Sequence, residues 1–566
     1  MAPITESRTS SSSVAVDRPD FDWLNDASRT FLRRGYLLDD VTPEERVRQI
    51  AAHAESILDI NGFAEKFHTY MARGYYSLAS PVWANFGLNR GLPISCFGSY
   101  IGDSMEAILD THAEVGMMTK VGGGTSGYFG DIRPRGSAIT NNGTSNGTYP
   151  FAQLFDKIIN VVSQGETRRG HFAGYIDIDH PDVEEWLNIQ TEGNAIQTMY
   201  YGIVIPDGWM QSMIDGDSDK RALWANVIEA RMNLGVPYII FKDNLNNGKP
   251  QVYKDKGLDI KASNLCSEIA LPSGPDESFV CCLSSMNALH YDEWKDTDAV
   301  QTMTQFLDAV MTEFIEAASG TKHMERAVRF ARRHRAIGIG ILGWHSYLQA
   351  NRIPFESMEA SLTGAEIAKT IKERSYAASA DLADRFGEPE VLEGYGRRNA
   401  TTMAVAPTKS SSFILGQVSP SIEPIKSNYF VQDRAKLKVT YKNPHLQELL
   451  AQKGHDTDAV WDEIALRDGS VQHLDVLSEH EKDVFKTFSE ISQLAIVDQA
   501  AARQQHIDQS QSLNLAIDPS ATPVKDINRL YIEAWKKGVK SLYYQNGVNA
   551  AQSFSRNVLA CRSCEA

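Results

Sequence analysis

The chain has little cysteine, only six residues in 566, and they stand at positions 96, 266, 281, 282, 561 and 564. It has no apolar run of 18 or more residues, which argues against a membrane-spanning helix. Its N-terminus lacks the apolar stretch of a secretory signal peptide. Few cysteines without such a signal are typical of the reducing cytosol. We therefore expect a cytoplasmic protein that uses its cysteines for chemistry rather than for structural disulfides.

Positive charge is also scarce, with 56 lysines and arginines against 72 aspartates and glutamates and a net charge of -16. A chain of this charge repels the phosphates of bulk nucleic acid, so we expect no nucleic-acid polymer among its partners. Hydrophobic residues make up 42% and charged residues 23%, which is the balance of an ordinary globular enzyme.

Helix and strand patterns alternate along most of the chain. Residues 1–20 are rich in serine and threonine and are expected to be disordered. Residues 21–79 are predicted to be helical, and Thr42, Pro43 and Glu45 predict a capping box at the start of one helix. From residue 80 to residue 545, short β-rich runs alternate with amphipathic helices, which indicates an α/β barrel or a wound sheet. Residues 546–566 are predicted to form a flexible tail.

The cysteines occur in two contrasting settings. Cys561 and Cys564 lie on the tail, where a mobile dithiol reductant is favoured; a zinc site would need four ligands, and no second pair stands nearby. Cys266 lies between Asn264 and Glu268, and a thiol, an amide and a carboxylate so close together suit a reactive site better than a core. On an extended segment, residues two apart point the same way, so Cys266 and Glu268 are expected to face one site.

Two glycine-rich stretches and one serine-rich loop have competing interpretations. Residues 338–343 match the Gly-x-Gly-x-x-Gly dinucleotide pattern but follow a basic helix rather than a strand, so close backbone packing is favoured. Residues 122–127 lack the Lys-Ser/Thr ending of a P-loop and favour a tight turn against a ligand or a barrel wall. Residues 406–412 follow an apolar strand and predict either a phosphate-binding turn or a plain helix cap. The dipeptide Tyr543-Tyr544, taken alone, favours a core strand.

Taken together, these segments resemble the large (α, catalytic) subunit of class I ribonucleotide reductase. The resemblance runs from about Leu78 to Ala566 and rests on motifs that occur in the family's order: Asn-Leu-Cys-x-Glu-Ile at 264–269, Cys-x-Leu-Ser at 281–284, Pro-Thr-Lys-Ser-Ser at 407–411, Leu-Tyr-Tyr-Gln at 542–545 and the terminal cysteine pair. It implies a ten-stranded α/β barrel of two five-stranded halves with a central finger loop, occupying residues 80–545 after a short helical N-terminal region. It also implies reduction of ribonucleoside diphosphates to 2′-deoxyribonucleoside diphosphates for DNA precursor synthesis.

The resemblance assigns roles in the chemistry. It implies that Cys266 carries a thiyl radical that abstracts the ribose 3′-hydrogen, and that Glu268 is the general base for the 3′-hydroxyl. Asn264 would bind the ribose hydroxyls. Cys96 and Cys281 would be the reducing pair that ends as a disulfide.

The remaining redox residues follow from the same resemblance. Cys561 and Cys564 would reduce that disulfide by thiol exchange and be reduced in turn by thioredoxin or glutaredoxin. Tyr543 and Tyr544 would pass the radical from a separate, metal-containing small (β) subunit, since no metal site is predicted in this chain. Cys282 is expected to face away from its neighbour on a strand and receives no role.

The resemblance also implies two nucleotide sites. The substrate would be bound by five residues: Ser80, Arg168, Thr408, Ser410 and Ser411. A deoxynucleoside triphosphate or ATP effector would lie at the interface of a homodimer, near Asp103, Arg133 and the loop 136–147. The loop 164–168 would relay the identity of the effector to the substrate base, which is allostery between two sites.

Several expectations concern what the chain does not carry and what else it could be. Too few residues precede Ser80 for both the helical lead-in and the N-terminal cone that sets overall activity in many relatives, so we expect the cone to be absent. A cobalamin-dependent reductase of the same superfamily is the main alternative, and the tyrosine pair argues against it. A nicotinamide-dependent oxidoreductase using residues 338–343, or a non-enzymatic interaction protein, would leave the redox cysteines unexplained.

Overall fold

The computed structural model describes residues 20–165, 168–434, 437–518 and 520–547, and for residues 432–439 it describes the backbone alone. The helices are α1 (Asp26–Arg33), α2 (Pro43–Leu58), α3 (Phe63–Ala72), α4 (Ser80–Asn85), α5 (Met105–Lys120), α6 (Tyr149–Val161), α7 (Val183–Trp186), α8 (Asp207–Asp215), α9 (Ser218–Leu234), α10 (Lys242–Asn247), α11 (Gln251–Asp255), α12 (Tyr291–Trp294), α13 (Ala299–Ala318), α14 (Glu325–His334), α15 (Trp344–Ala350), α16 (Met358–Phe386), α17 (Lys409–Ile414), α18 (Pro444–Gln452), α19 (Asp458–Leu466), α20 (Glu479–Val484), α21 (Gln493–Gln504) and α22 (Val524–Lys536).

The strands are β1 (Tyr76–Leu78), β2 (Cys96–Tyr100), β3 (Gly124–Tyr128), β4 (Ser163–Gln164), β5 (Arg168–Arg169), β6 (Phe172–Asp177), β7 (Tyr200–Ile205), β8 (Tyr238–Phe241), β9 (Phe279–Asn287), β10 (Ile337–Leu342), β11 (Tyr429–Arg434), β12 (Leu437–Lys442), β13 (Leu515–Ala516), β14 (Ser541–Leu542) and β15 (Gln545–Asn546). Two short 3-10 helices, Ala288–His290 and Glu390–Leu392, complete the described elements.

The strands close into a barrel made of two halves. Five parallel strands form the first half in the order β2-β3-β6-β7-β8. The second half begins at β9, which runs antiparallel to β2 and parallel to β10. It continues through single bridges from Ile339 to Met403 and from Val405 to Gln511. The second half ends at β14, which is antiparallel to β8. The predicted ten-stranded α/β barrel of two five-stranded halves is confirmed.

Each barrel strand is buried on both faces, as expected where helices cover the outside and a loop fills the inside. The helical N-terminal region packs on this barrel, with the ring of Phe67 in α3 stacked 4.4 Å from that of Phe306 in α13. The predicted capping box at Thr42 and Glu45 is confirmed at the start of α2.

Helix α2 also holds the short helix α4. The Arg46 guanidinium, 2% exposed, donates to the carbonyl oxygens of Trp83 at 3.0 Å and Phe86 at 2.6 Å. Those carbonyl groups at the end of a helix have no partner within it, so the arginine satisfies them and fixes the position of α4. Helix α4 begins at Ser80, beside the site described below.

The Gly-x-Gly-x-x-Gly stretch lies in β10 and at its end, so its preferred interpretation as close backbone packing is confirmed. A Cβ atom on Gly338 would stand 2.5 Å from Leu283 Cδ2 and 3.3 Å from Cys281 Sγ. The glycine therefore leaves the space that a buried cysteine occupies. Gly338 and Gly340 lie inside β10 and only Gly343 stands at the turn into α15, so the stretch does not form the glycine-rich loop of a dinucleotide site. Among the described residues, no helix has the length and apolar character needed to cross a membrane.

Candidate active site

A loop of residues 261–270, called the finger loop below, carries Asn264, Cys266 and Glu268 into the barrel. Residues 265–267 form a turn, and Ser267 has a φ of 65° in the left-handed region. The expectation of an extended segment is therefore wrong: the turn, not strand alternation, determines where the side chains of Cys266 and Glu268 lie. A non-glycine residue in this conformation is uncommon and is kept only where surrounding contacts hold it.

Those contacts come from strands of both barrel halves, which places the finger loop inside the barrel. Five hydrogen bonds hold its backbone: Ser126 Oγ to Ser263 O (2.8 Å), Tyr175 Oη to Asn264 O (2.5 Å), Ser512 Oγ to Cys266 O (2.5 Å), Ser541 Oγ to Ser267 O (2.9 Å) and Ser510 N to Glu268 O (2.8 Å).

Cys96 and Cys281 face each other across the seam between the two halves. They are direct partners in the antiparallel pairing of β2 with β9. Such partners have Cα atoms about 4.5–5.5 Å apart, which lies within the range that a disulfide needs. Both are free thiols, and burial raises the pKa of each well above its usual value. They are therefore protonated at neutral pH and can donate hydrogen.

Each of these thiols receives an amide hydrogen bond. Asn264 Nδ2 donates to Cys96 Sγ at 3.2 Å, and Gln509 Nε2 donates to Cys281 Sγ at 3.6 Å. Cys282 points the other way, as predicted, because its Sγ donates to the carbonyl oxygen of Leu307 in α13 at 3.3 Å.

Glu268 is a buried carboxyl beside this pair. It is 1% exposed, its Oε1 lies 4.0 Å from Cys96 Sγ, and its Oε2 accepts a hydrogen bond from Ser512 Oγ at 3.0 Å. Removal from water disfavours the charged form and raises the pKa of Glu268 to about 7. A carboxyl with this pKa exchanges a proton readily near neutral pH, which suits a general base.

Four tyrosines form a cluster at the site, and three of them, Tyr200, Tyr543 and Tyr544, line its cavity. The rings of Tyr543 and Tyr544 lie 4.3 Å apart, and the ring of Tyr238 lies 4.8 Å from the first and 5.2 Å from the second. Tyr200 lies 5.8 Å from Tyr544. The two ring planes are tilted by 53°, and Tyr543 is buried whereas Tyr544 is half-buried, so Tyr544 is the outer ring of the pair. Burial raises the pKa of Tyr544 well above its usual value, so it is a neutral phenol.

A cavity of about 140 Å³ opens between the tyrosines, the finger loop and the serine-rich loop. Its lining includes residues predicted for the substrate site and for the chemistry: Ser80, Cys96, Arg168, Cys266, Glu268, Thr408, Ser410, Ser411, Tyr543 and Tyr544. Helices α4 and α17 both begin at this cavity, at Ser80 and Lys409. The structure thus brings the finger loop, the reducing pair and the phosphate-loop candidates to one place.

A larger open cleft of about 1130 Å³ lies elsewhere, lined by parts of 257–277 and 318–333. Its charged side chains pair with one another, as Arg333 does with Glu277 and Glu390. Among the described cysteines, none lines this cleft. We place the site at the smaller cavity because the reactive groups converge there.

Comparison with known proteins agrees with this geometry. Residues 22–91 match the family model of the ribonucleotide reductase all-alpha domain. Residues 94–220, 215–391 and 389–545 match that of the ribonucleotide reductase barrel domain. The chain belongs to the ribonucleotide reductase large-subunit family.

Individual ribonucleotide reductase chains are similar over nearly the full length. The solved structure of the Actinobacillus ureae class Id ribonucleotide reductase alpha subunit is 59% identical, covers 96% of this chain and 100% of its own, and superimposes with a TM-score of 0.90. The ribonucleoside-diphosphate reductase large subunit of Invertebrate iridescent virus 3 is 33% identical over 89% of this chain and 91% of its own. The large chain from Schizosaccharomyces pombe is 30% identical over 94% and 75%.

In this reductase chain, the residues predicted for the effector stand apart from the active site. Arg133 Nε and Asp103 Oδ2 form an ion pair at 2.8 Å, and the Arg133 backbone N–H donates to Asp103 Oδ1 at 3.1 Å. Both side chains are about one-third exposed, at the foot of the loop 136–147. The tail cysteines Cys561 and Cys564, the relay-loop residues 166 and 167 and the tail beyond residue 547 lie outside the described residues.

Sequence reasoning missed three residues of the reductase site. Tyr238 reads as one apolar residue of a buried strand, yet its ring contacts both predicted tyrosines. Gln509 and Ser512 lie far along the chain from Cys281 and Glu268, which they contact. The only signal was the run of polar residues at 508–512, which is unusual for a segment buried in a barrel.

Proposed function

We propose that this chain is the catalytic subunit that reduces ribonucleoside diphosphates to 2′-deoxyribonucleoside diphosphates by thiyl-radical chemistry. One observation supports this most: the finger loop holds Cys266 and Glu268 beside a cross-strand cysteine pair, with two tyrosines in ring contact adjoining the same cavity. A simple thiol hydrolase or dehydrogenase has no need for a cross-strand cysteine pair and a tyrosine pair beside a third cysteine.

The proposed steps balance in atoms and electrons. A thiyl radical on Cys266 takes the 3′-hydrogen atom of the ribose, while Glu268 accepts the proton of the 3′-hydroxyl. The 2′-hydroxyl leaves as water with a proton from the pair Cys96 and Cys281. The second hydrogen of that pair goes to the 2′ carbon, so the pair gives two protons and two electrons in all and becomes a disulfide. Glu268 returns its proton to the 3′ oxygen. Cys266 then returns a hydrogen atom to the 3′ carbon, which regenerates the thiyl radical.

The protonation states in the cavity fit these steps. The pair Cys96 and Cys281 stays protonated at neutral pH because both thiols are buried, so a proton is available for the leaving hydroxyl. Glu268, with a pKa of about 7, can take a proton and later release it. Asn264 already donates to Cys96, and we assign its amide to the ribose hydroxyls as well.

Substrate phosphates are assigned to the start of α17 and the facing start of α4. Thr408 precedes α17 with a φ of 49°, so the chain turns sharply from the strand into this helix. Ser410 and Ser411 follow on its first turn, and Ser80 begins α4 across the cavity. Hydroxyls and backbone N–H groups in such turns favour phosphate. Arg168, buried at the cavity wall, is assigned to the substrate.

The radical is assigned an entry route through the tyrosines. As the large subunit of a class I reductase, the chain requires a separate small subunit that supplies the oxidant. Tyr544, the outer ring of the tyrosine pair, would receive the radical, and Tyr543 would pass it toward Cys266. The class Id relative also argues against the cobalamin-dependent alternative.

Effector binding is assigned to a homodimer interface around Asp103 and Arg133. Helices α5 and α6 begin close after these residues and pack on each other. Together they leave four large apolar side chains exposed, Met105 at 56%, Leu109 at 49%, Leu154 at 38% and Val161 at 71%. A cluster of this kind on a soluble chain indicates an interaction surface, and a second copy would cover it.

The direct test is an assay of cytidine diphosphate reduction with and without a candidate small subunit, using a dithiol reductant. We expect deoxycytidine diphosphate only when both subunits are present. Product formation by the α chain alone with added adenosylcobalamin would instead support the cobalamin alternative.

A further inference from the structure

The loop 136–147, called the effector loop below, has both of its ends held by one buried carboxylate. Asp182 is 6% exposed, and its Oδ1 accepts the backbone N–H of Arg135 at 3.0 Å, just before the loop. Its Oδ2 accepts the backbone N–H of Thr148 at 2.8 Å and the Thr148 hydroxyl at 3.0 Å, just after the loop. Residues 138–144 between these ends are exposed.

Asp182 is itself held rigidly. Its backbone N–H donates to His180 Nδ1 at 3.1 Å, and His180 Nε2 lies 2.9 Å from the carbonyl oxygen of Ile132. Trp186 Nε1 donates to Thr148 Oγ1 at 2.9 Å, which completes a closed set of buried polar contacts. Such a set fixes the carboxylate in one orientation because every partner would lose its hydrogen bond if the carboxylate turned.

Gly147 shows how closely the two ends approach. Its φ is 83°, and a Cβ atom there would stand 2.6 Å from Asp182 Oδ2 and 3.0 Å from Arg135 Cβ. Only glycine allows the chain to pass between the carboxylate and Arg135 in this conformation. The end of the loop is therefore shaped around the Asp182 carboxylate.

We infer that Asp182 is a positioning residue for effector specificity, one that acts through the effector loop without touching the nucleotide. This inference rests on the effector site proposed at Asp103 and Arg133. Holding both ends lowers the number of conformations that the loop loses when a nucleotide orders it, which favours binding. Thr148 is also the residue from which α6 begins, so the same carboxylate joins the effector loop to a helix of the proposed dimer interface.

The test is the variant Asp182→Asn in the full chain, titrated calorimetrically with deoxythymidine triphosphate. An amide offers one oxygen and one NH2 group, so it can accept from one end of the loop while opposing the N–H donor at the other. Loss of one hydrogen bond to a charged acceptor corresponds to about tenfold weaker binding. With the small subunit present, we expect a comparable loss in the ability of this effector to change the preferred nucleoside diphosphate.

Asp156→Asn is the matched control. Asp156 lies in α6, the helix that begins directly after Thr148. Its Oδ1 accepts the Thr198 hydroxyl at 2.6 Å, the Thr198 N–H at 3.2 Å and the Met199 N–H at 2.8 Å. It thus joins α6 to another segment with an equivalent set of donors, away from the effector loop. We expect its dissociation constant for the nucleotide to match that of the unmodified chain.

Thr148→Ala and Thr148→Ser give a second pair should Asp182→Asn not fold. The alanine variant should bind deoxythymidine triphosphate a few-fold more weakly, and the serine variant should restore binding. Unchanged affinity in Asp182→Asn and Thr148→Ala, or equal weakening in Asp156→Asn, would overturn the inference. An unmodified chain that binds no deoxynucleoside triphosphate would overturn the proposed effector site itself, and the inference with it.

Discussion

Cys266 sits at the tip of a turn whose next residue, Ser267, has a left-handed backbone. Every backbone carbonyl from residue 263 to residue 268, apart from that of Leu265, accepts a hydrogen bond from a barrel strand or from within the loop. The thiol is therefore held by backbone contacts that do not depend on its own side chain. Substitution at this residue should leave the fold intact.

Replacing Cys266 by serine tests its assigned role. We expect Cys266→Ser to fold normally and to lose all multiple-turnover reduction, because a hydroxyl is far harder to oxidise to a radical than a thiol. The measurement is deoxynucleoside diphosphate formed per active site with an excess of reductant.

Cys282→Ser is the matched control, since it changes a cysteine that points toward α13 and away from the cavity. It should retain turnover. More than one product per active site from Cys266→Ser would refute the assignment of the radical to this residue.

The raised pKa of Glu268 predicts how activity depends on pH. A general base must be ionised, so kcat/KM should fall as pH falls below about 7. Glu268→Gln should lose most activity at every pH. Glu114 is the control, because burial also raises the pKa of its carboxyl but that carboxyl contacts Arg326 and does not face the cavity. Glu114→Gln should therefore show the same fall of kcat/KM below pH 7 as the unmodified chain. A kcat/KM that stays constant from pH 8 to pH 5.5 would exclude Glu268 as the base.

The same pKa predicts an opposite effect on stability. Because the folded protein binds the Glu268 proton more tightly than the unfolded chain, stability is lost as pH rises from about 4.5 to about 7. That difference in pKa corresponds to about 3 kcal/mol above pH 7. Glu268→Gln should therefore unfold at a higher urea concentration than the unmodified chain at pH 8. The two should unfold alike at pH 4, and the reverse order at pH 8 would contradict the raised pKa.

How much of the site could be predicted differs from residue to residue. The residue types at positions 264, 266 and 268 predict a reactive cluster, since an amide, a thiol and a carboxyl so close together are rare in a core. Their geometry could not be predicted from the types, because Ser267 carries no mark of a left-handed backbone. The places of Gln509 and Tyr238 in the site depend on contacts with residues more than two hundred positions away in the chain. Only the closed barrel brings those segments together.

At the scale of elements, the two neighbouring tyrosines follow directly after the end of β14. Tyr543 is fixed by its backbone N–H, which donates to Leu513 O at 2.9 Å in the neighbouring strand segment. The barrel therefore sets the spacing of the rings, and removal of one hydroxyl should not move them.

Removing a tyrosine hydroxyl tests the proposed route of the radical. Tyr543→Phe or Tyr544→Phe should bind substrate and small subunit normally and should lose turnover, because phenylalanine is far harder to oxidise. Tyr201→Phe serves as the control: it lies in β7, beside Tyr200, and its hydroxyl makes one long contact of 3.5 Å to Leu187 O. It should remain active. Full turnover in either tyrosine-pair variant would return that residue to a purely structural role.

Among the elements, the alternation of short β-rich runs with amphipathic helices predicted an α/β barrel or a wound sheet, and the count of ten strands came only from the family resemblance. It could not predict that the segments around residues 403 and 511 join the barrel by single bridges. The reason is physical: these segments are held by side chains such as Asp508, which accepts from the backbone N–H of Thr402 at 2.7 Å, as well as by backbone ladders.

At the scale of the whole molecule, the active site is enclosed and its reductant must come from outside. The cysteine pair is buried at the seam, so we expect that the thiol of a second protein does not reach it directly, and we propose that the tail cysteines of the same chain reduce it. This separates the chemistry of one turnover from the recycling that permits the next.

Replacing both tail cysteines separates these two stages. The double variant Cys561→Ser, Cys564→Ser should form about one product per active site when reduced beforehand, and turnover with a thioredoxin-type reductant should then stop. A small dithiol should restore cycling because it can diffuse into the cavity. Rapid-quench and steady-state assays distinguish the stages, and normal cycling with the protein reductant would exclude the tail as the shuttle.

The pairing of Cys96 with Cys281 has a mechanical consequence. In the proposed mechanism, each turnover forms a disulfide between β2 and β9, across one of the two seams between the barrel halves, and each reduction breaks it again. A bond closing so long a stretch of chain restricts the unfolded state by about 5 kcal/mol in the chain-entropy description. The oxidised form of the enzyme is then more stable to unfolding than the reduced form. A cell short of reductant would accumulate this inactive, heat-resistant form, and thiols would reactivate it by reducing the disulfide.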